Sequence, residues 1–198
     1  LKNVPICYLH GFIIYSELKK YIEKILSNKN LTLFDIGSSR GFSSILMAHT
    51  LSSSKINYKI YSFNIIGHNK KRYWNSIIDL KKGKTSRKEM LSIHNELTEN
   101  IKFIEGKTNR TFRKFNYVER INFAFVDGSH EYEDVLFEYN FISEKQKEYD
   151  IILFDDYNKI RFPGIVKVVN QILDEGTYGV KFVEGFQGRN YAICTKNK

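Results

Sequence analysis

The stretch Leu31-Thr-Leu-Phe-Asp35-Ile-Gly37-Ser38-Ser-Arg-Gly41-Phe-Ser43 narrows the folds open to this chain more than any other. Leu31 to Ile36 is a short apolar run of the kind that forms a buried parallel strand. Gly37 and Gly41 follow it, and a helix-like segment from Phe42 to Leu51 comes next. A strand that passes through glycines into a helix makes a ligand cradle. Glycine lets the backbone come close to a ligand, and the helix N-terminus offers unpaired N–H groups. Asp35, near the carboxyl end of the strand, could accept hydrogen bonds from a cationic or hydroxyl-bearing group held there. The spacing is D-x-G-x-x-x-G and not the dinucleotide fingerprint G-x-G-x-x-G. The same glycines also suit an ordinary strand–helix turn, so the choice falls to later residues.

A chain of 198 residues can bury one full core and is short for two. At 42% hydrophobic and 27% charged it is expected to be soluble and globular. Neither an apolar run of membrane-span length nor a signal-peptide pattern is present in the sequence. Cys7 and Cys194 stand far apart, outside any C-x-x-C spacing, and make no disulfide framework. A reduced, cytoplasmic protein is the expectation. The net charge of +9 suits an acidic substrate, nucleic acid or an anionic surface. Lys and Asn are spread along the whole chain, however, so the excess is partly compositional and selects no partner.

Ile13 to Ser27 has apolar residues at helical spacing and is expected to pack on the sheet, behind an irregular arm from Asn3 to Phe12 that holds Tyr8 and His10. Tyr58 to Phe63 alternates as a strand and ends at Asn64. Residues 67–87 are basic and irregular and contain Trp74, and a substrate-side insertion with a short helix from Tyr73 to Leu80 is expected there. Trp74 suits a sugar ring or a local core equally. Ser86 to Glu99 looks helical, with Ser86 and Glu89 spaced as a capping box. Strands follow at Ile101–Glu105, Ile121–Val126 and Tyr149–Phe154, with helices at Thr108–Phe115, Tyr132–Lys145 and from Pro163 to Leu173. Tyr178–Glu184 and Arg189–Thr195 read as a closing β-hairpin. Strand–helix units repeated in this way predict one domain over residues 1–198, an α/β sheet that is mostly parallel with helices on both faces.

Asp127, Asp155 and Asp156 stand at the carboxyl ends of two of these strands, the edge where ligands bind in open α/β sheets. Clustered carboxylates repel one another unless protonated or met by a cation. An all-oxygen set suits a hard ion such as Mg²⁺. Singly, each aspartate could instead cap a helix or a turn.

The first motif resembles that of class I S-adenosylmethionine (SAM) dependent methyltransferases. Phe123-Ala-Phe-Val-Asp127-Gly-Ser129-His130-Glu-Tyr132 and Ile151-Ile-Leu-Phe-Asp155-Asp156-Tyr157, with Pro163-Gly164, resemble the "DGxHxY" and "DDY…PGV" segments of its macrocin-type sugar O-methyltransferases. The resemblance runs over roughly residues 31 to 195 and implies a Rossmann-like sheet of seven strands, the last inserted antiparallel. It implies a SAM site that includes Asp35, Gly37, Ser38, Gly41, Ser43, Asn64, Gly106, Lys107 and Asp127. Asp127, Asp155 and Asp156 would hold Mg²⁺, which would acidify a sugar hydroxyl of a glycan or natural product, anionic acceptors included. Some sugar-modifying relatives carry an acid at the position of Ser129. His130 is the available base beside Asp127, and it equally suits a capping or supporting role. Asn64 and Lys107 depart from the family, which keeps acids at both positions. The departures leave room for a second reading, a degenerate fold-mate that binds without turnover. A third, an RNA methyltransferase, rests on charge alone, and no RNA-binding module is recognised. The sequence leaves a homo-oligomer open.

Overall fold

The computed structural model describes residues 8–25, 30–74, 81, 83–185 and 188–198. Helix α1 (Tyr8–Lys24) precedes strand β1 (Asn30–Ile36), α2 (Phe42–Ser53) and β2 (Asn57–Asn64). Two short helices, α3 (Arg87–Leu91) and α4 (Asn95–Thr98), lead to β3 (Ile101–Glu105), and α5 (Thr108–Thr111) leads to β4 (Phe123–Val126). Then come α6 (Tyr132–Ser143), β5 (Ile151–Phe154), α7 (Pro163–Glu175), β6 (Tyr178–Val183) and β7 (Tyr191–Lys196).

The seven strands form one sheet in the order β3-β2-β1-β4-β5-β7-β6. Six run parallel; β7 lies antiparallel between β5 and β6, hydrogen-bonded to both. The expected architecture is therefore the observed one. Because β1 pairs with β2 on one side and β4 on the other, the chain reverses direction of winding between β1 and β4. A crevice opens outside the strand ends at such a switch point. The central strands are buried on both faces, as parallel strands covered by helices must be. One core packs Phe34, Phe63, Phe112, Val126 and Phe154 against α6 and α7. The other packs Leu33, Phe125 and Leu153 against α1 and α2.

Local chemistry explains the ends of elements. Pro163 occupies the first turn of α7 and Gly176 closes it in the left-handed conformation, φ 66°. Between them Ile165, Val168, Val169 and Ile172 form the buried face.

Three expectations need correction. The residues from Tyr8 to Phe12 are the first turns of α1 rather than an irregular arm. A Cβ at Gly11 would stand 3.0 Å from the Phe42 ring, so its bareness lets α1 lie against α2. The single helix expected from Ser86 to Glu99 is broken at Ser92–His94 by a 3₁₀ turn. There the Ser92 hydroxyl donates to the Glu89 carbonyl and competes with helical bonding. The strands expected from Ile121 and Tyr149 begin two residues later, at Phe123 and Ile151. The capping box itself is present: Ser86 and Glu89 each accept the other's N–H, at 3.1 and 2.8 Å. Trp74 is buried, and its indole N–H donates to the Thr85 carbonyl at 2.9 Å across the Arg72–Thr85 bridge, a local core. The expected arm before Tyr8, the end of the first helix past Ile25, and most of the helix expected up to Leu80 lie outside the described residues.

Candidate active site

A cleft of about 550 Å³ lies over the carboxyl ends of β1, β2, β3 and β4, within the size range of small-molecule sites. Gly37 forms its floor at the switch point. Its φ is +86°, and a Cβ would fall 1.9 Å from the Asp127 carbonyl oxygen, so β1 and β4 can approach here only with glycine. Asn64 lines the cleft beyond β2, and its side-chain oxygen accepts the Ile66 N–H at 2.8 Å. Gly106 and Lys107 line it beyond β3, and Asp127 and Ser129 beyond β4. A smaller hollow of about 340 Å³ at the opposite sheet edge, beside Tyr117 and Arg120, holds none of these groups.

Asp35, Ser38, Gly41 and Ser43 stand behind that surface. Asp35 is fully buried and accepts hydrogen bonds from Ser43, at 2.8 and 2.9 Å, and from Ser44. Burial raises its pKa, and the two serine hydroxyls oppose the rise. Ser38 is buried, and its hydroxyl has no partner among the described residues. Gly41 has φ +91°, and a Cβ would meet the Leu91 side chain at 2.8 Å, so this glycine makes room for α3. From α3, Arg87 is buried and donates to the Ser39 carbonyl at 2.7 Å and the Ile66 carbonyl at 3.3 Å. One guanidinium thereby ties the β1–α2 turn to the β2 loop, the two walls of the cleft.

The acidic residues do converge, and they do so around Arg189, at the foot of β7. The Arg189 guanidinium forks onto both Asp155 oxygens, with Nε at 2.9 Å from each, and reaches Asp127 at 3.3 Å and Asp156 at 3.9 Å. His10 Nδ1 reaches Asp155 from α1 at 3.1 Å. His130 Nε2 reaches Asp156 at 3.2 Å, with its ring stacked on Phe162 at 4.1 Å. Asp156 takes φ +55°, a conformation uncommon outside glycine. Burial and the neighbouring Asp155 push the Asp127 carboxyl well above the usual carboxylate range, against the pull of Arg189. Burial acts the same way on Asp155, but His10 and Arg189 outweigh it and hold that carboxyl below its ordinary value.

Potential ligand atoms of Asp127, His130 and Asp156 lie within 4.8 Å of one another, as do those of His10, Asp127 and Asp155. Carboxylate oxygens are the donor chemistry a hard divalent ion takes. Asp127, His130 and Asp156 bring donor atoms close enough for such an ion, with the Arg189 guanidinium against both aspartates. Asp155 could join them only when Arg189 withdraws, since both its oxygens are engaged. Sequence reasoning missed Arg189, His10, Arg87 and Glu138, a buried acid in the cleft wall.

The Methyltransferase domain family matches residues 34–157, from the middle of β1 to just past Asp155 and Asp156. No curated protein matches the chain in sequence. Among solved structures the fold is similar to the O-methyltransferase TomG from Streptomyces achromogenes, solved in complex with SAM. The TM-score is 0.69 at 10% identity, over 100% of this chain and 84% of that one. It is similar also to an O-methyltransferase from Bacillus cereus in complex with S-adenosylhomocysteine (SAH), with TM-score 0.67 at 12% identity over 100% and 84% of the two chains. A third, the O-methyltransferase NovP, gives 0.67 at 13% identity over 93% and 79%. At such identities these likenesses show a shared fold. The match from Phe34 to Tyr157 covers more than half of the chain and spans the glycine turn, Asp127, Asp155 and Asp156, and with it the chain belongs to the Methyltransferase domain family, an enzyme of the methyltransferase class.

Proposed function

We propose that this methyltransferase uses SAM to methylate a hydroxyl group, with a sugar within a glycan or natural product as the acceptor. The observation that carries the reading is the join between the cleft and the acidic centre. Asp127 lines the cleft and also meets Arg189, so a methyl donor in the cleft would face acceptors held beside Asp156 and His130. Gly37 supports the donor site, because its missing Cβ is what lets the turn after β1 close against the Asp127 backbone and form the floor. Asn64 would meet the ribose and Gly106–Lys107 the base, while Asp35, Ser38, Gly41 and Ser43 hold the turn behind them. SAM would supply an electrophilic methyl group on a sulfonium.

The acceptor oxygen must lose a proton as its bond to the methyl carbon forms and the carbon–sulfur bond breaks. His130 can take that proton. With its Nε2–H donated to Asp156, Nδ1 is the nitrogen left to accept, and the ring is fixed by Phe162. In-line transfer depends on positioning, which the rigid strand ends provide. Mg²⁺ held by Asp127 and Asp156, joined by Asp155 when Arg189 withdraws, would lower the pKa of the acceptor hydroxyl. The exposed lysines Lys70 and Lys84 of the basic segment that follows the cleft-lining β2 loop would favour anionic acceptors. The test is SAH binding by calorimetry, followed by methyl transfer from labelled SAM to a panel of sugars and phosphosugars with Mg²⁺ or chelator. Labelled sugar that disappears in His130→Ala and in chelator supports the reading. Binding of SAH with no transfer to any hydroxyl acceptor overturns the acceptor class.

A further inference from the structure

The hollow of about 340 Å³ lies at the amino ends of β1 and β4, on the opposite sheet edge from the cleft. Arg120 forms part of its wall. Its Nε and Nη2 each donate, at 2.8 Å, to a different oxygen of Asp150. Asp150 is fully buried and also accepts the Tyr21 hydroxyl at 2.7 Å, and Asn122 donates to that hydroxyl at 2.9 Å. The guanidinium is therefore locked from the core side. A planar fork that turns Nε and Nη2 inward still carries the two N–H groups of Nη1, and this side chain, a quarter exposed, lines the hollow. Held in place already, it loses little freedom when it meets an oxyanion.

The rest of the lining suits a hydroxylated partner. Tyr61 and Tyr117 share one hydrogen bond between their phenol oxygens, at 3.3 Å, so each phenol keeps capacity for another. The Tyr117 ring is 62% exposed. Asn30 and Thr32 add an amide and a hydroxyl from β1. The field around these groups is positive. Lys59 holds its ammonium 5.4 Å from the Tyr61 ring, and Lys102 faces Tyr61 across the β2–β3 pair. The hydrogen bond from Tyr61 raises the pKa of the Tyr117 phenol, and both lysines oppose the rise. Glu119 is the acid of the lining, and it is exposed to solvent. We infer that this hollow is a second ligand site, separate from the cleft, and that it binds a sugar phosphate. The Nη1 edge of Arg120 takes the phosphate, the two phenols and Thr32 take sugar hydroxyls, and Lys59 and Lys102 draw the anion in. The inference does not depend on the SAM reading.

The experiment titrates the full chain with ribose 5-phosphate, glucose 6-phosphate, the two parent sugars and inorganic phosphate, and follows backbone amide shifts by NMR. Saturable shifts at residues 30–32 and 117–122 are expected, with a sugar phosphate bound about tenfold or more tightly than its sugar or phosphate alone. Arg120→Lys keeps a cation for Asp150 and loses the Nη1 donors, so binding should weaken about tenfold. Lys59→Gln combined with Lys102→Gln changes two exposed side chains, leaves the fold alone, and should weaken binding about threefold and flatten its salt dependence. Wild-type affinity in folded Arg120→Lys or in the double lysine variant overturns the site. So does the lack of a saturable shift with either sugar phosphate, or shifts confined to Asp127, His130 and Asp156, which would put the anion in the acidic centre. Inorganic phosphate bound as tightly as the sugar phosphates overturns the sugar class. Tighter binding of a short oligoribonucleotide at the same amides overturns the small ligand in favour of a polyanion.

Discussion

At Asn64 one side-chain oxygen is already spent on the Ile66 N–H, which leaves the amide nitrogen, a donor, as the free group in the cleft wall. A carboxylate there could keep the Ile66 bond with one oxygen and offer the other to a ribose hydroxyl. Asn64→Asp is therefore expected to tighten SAH binding by about 1 kcal/mol, roughly fivefold. Side-by-side titration of the two proteins checks it, and equal or weaker binding in the variant means the ribose lies elsewhere. Arg189 poses the complementary question. It supplies the positive charge that Asp155, fully buried, cannot do without. Removing one partner of a buried ion pair costs roughly 3–5 kcal/mol, and less where the other group is a third exposed, as Arg189 is. Arg189→Met should accordingly melt earlier in chelator and recover part of the loss on adding Mg²⁺, while the wild type changes little. If Mg²⁺ stabilises both proteins alike, guanidinium and metal do not compete for one place.

Among the elements, α3 governs the cleft without lining it. Gly41 is bare so that Leu91 can pack against it, and Arg87 reaches from α3 to the Ser39 and Ile66 carbonyls. Arg87→Met should leave both carbonyls unpaired at the cleft walls and cost about 2–3 kcal/mol in stability. SAH affinity should fall with it, because the two walls lose their shared anchor. Thermal unfolding and titration give both numbers, and unaltered SAH affinity in the destabilised variant would show that the walls hold their places without Arg87. This linkage was hidden in the sequence, where Arg87 is one cation in a basic stretch. The strands were plain by contrast: apolar runs ending at Ile36, Phe63, Val126 and Phe154 signal buried parallel strands, and the residues after them fall on the ligand edge. His10 was hidden because the apolar periodicity was legible only from Ile13 on, past the turn of α1 that carries it.

Across the whole molecule, the acidic centre is assembled from α1, β4, β5 and the foot of β7, and only the ends of β4 and β5 carry a local motif. Arg189 reaches Asp155 over 34 residues because β7 inserts beside β5, a pairing that no spacing along the chain encodes. Glu138 was equally illegible, since an acid in an amphipathic helix is ordinarily a solvated one. Its burial ties the site to global stability. The folded protein holds the Glu138 proton up to about pH 8, against an ordinary glutamate value near 4.5. A folded-state pKa raised in this way contributes stability that is fully present below the unfolded value. The contribution is lost as pH rises toward the folded one, because the native state then binds the extra proton. Asp127 is shifted in the same direction and Asp155 in the opposite one, so wild-type melting alone would mix the three. Glu138→Gln isolates the contribution of Glu138: its amide matches the neutral acid in shape and never ionises. At pH 5 wild type and variant should unfold at nearly the same free energy. From there to pH 8 the variant should gain on the wild type by at most about 1.4 kcal/mol per pH unit, then run parallel to it. The facing groups that set the shift are Asp134, which raises it, and the Thr108 hydroxyl, which lowers it. A difference between the two proteins that stays flat from pH 5 to pH 9 would mean that Glu138 ionises as a solvated acid does, and that water enters the β3 end of the cleft freely.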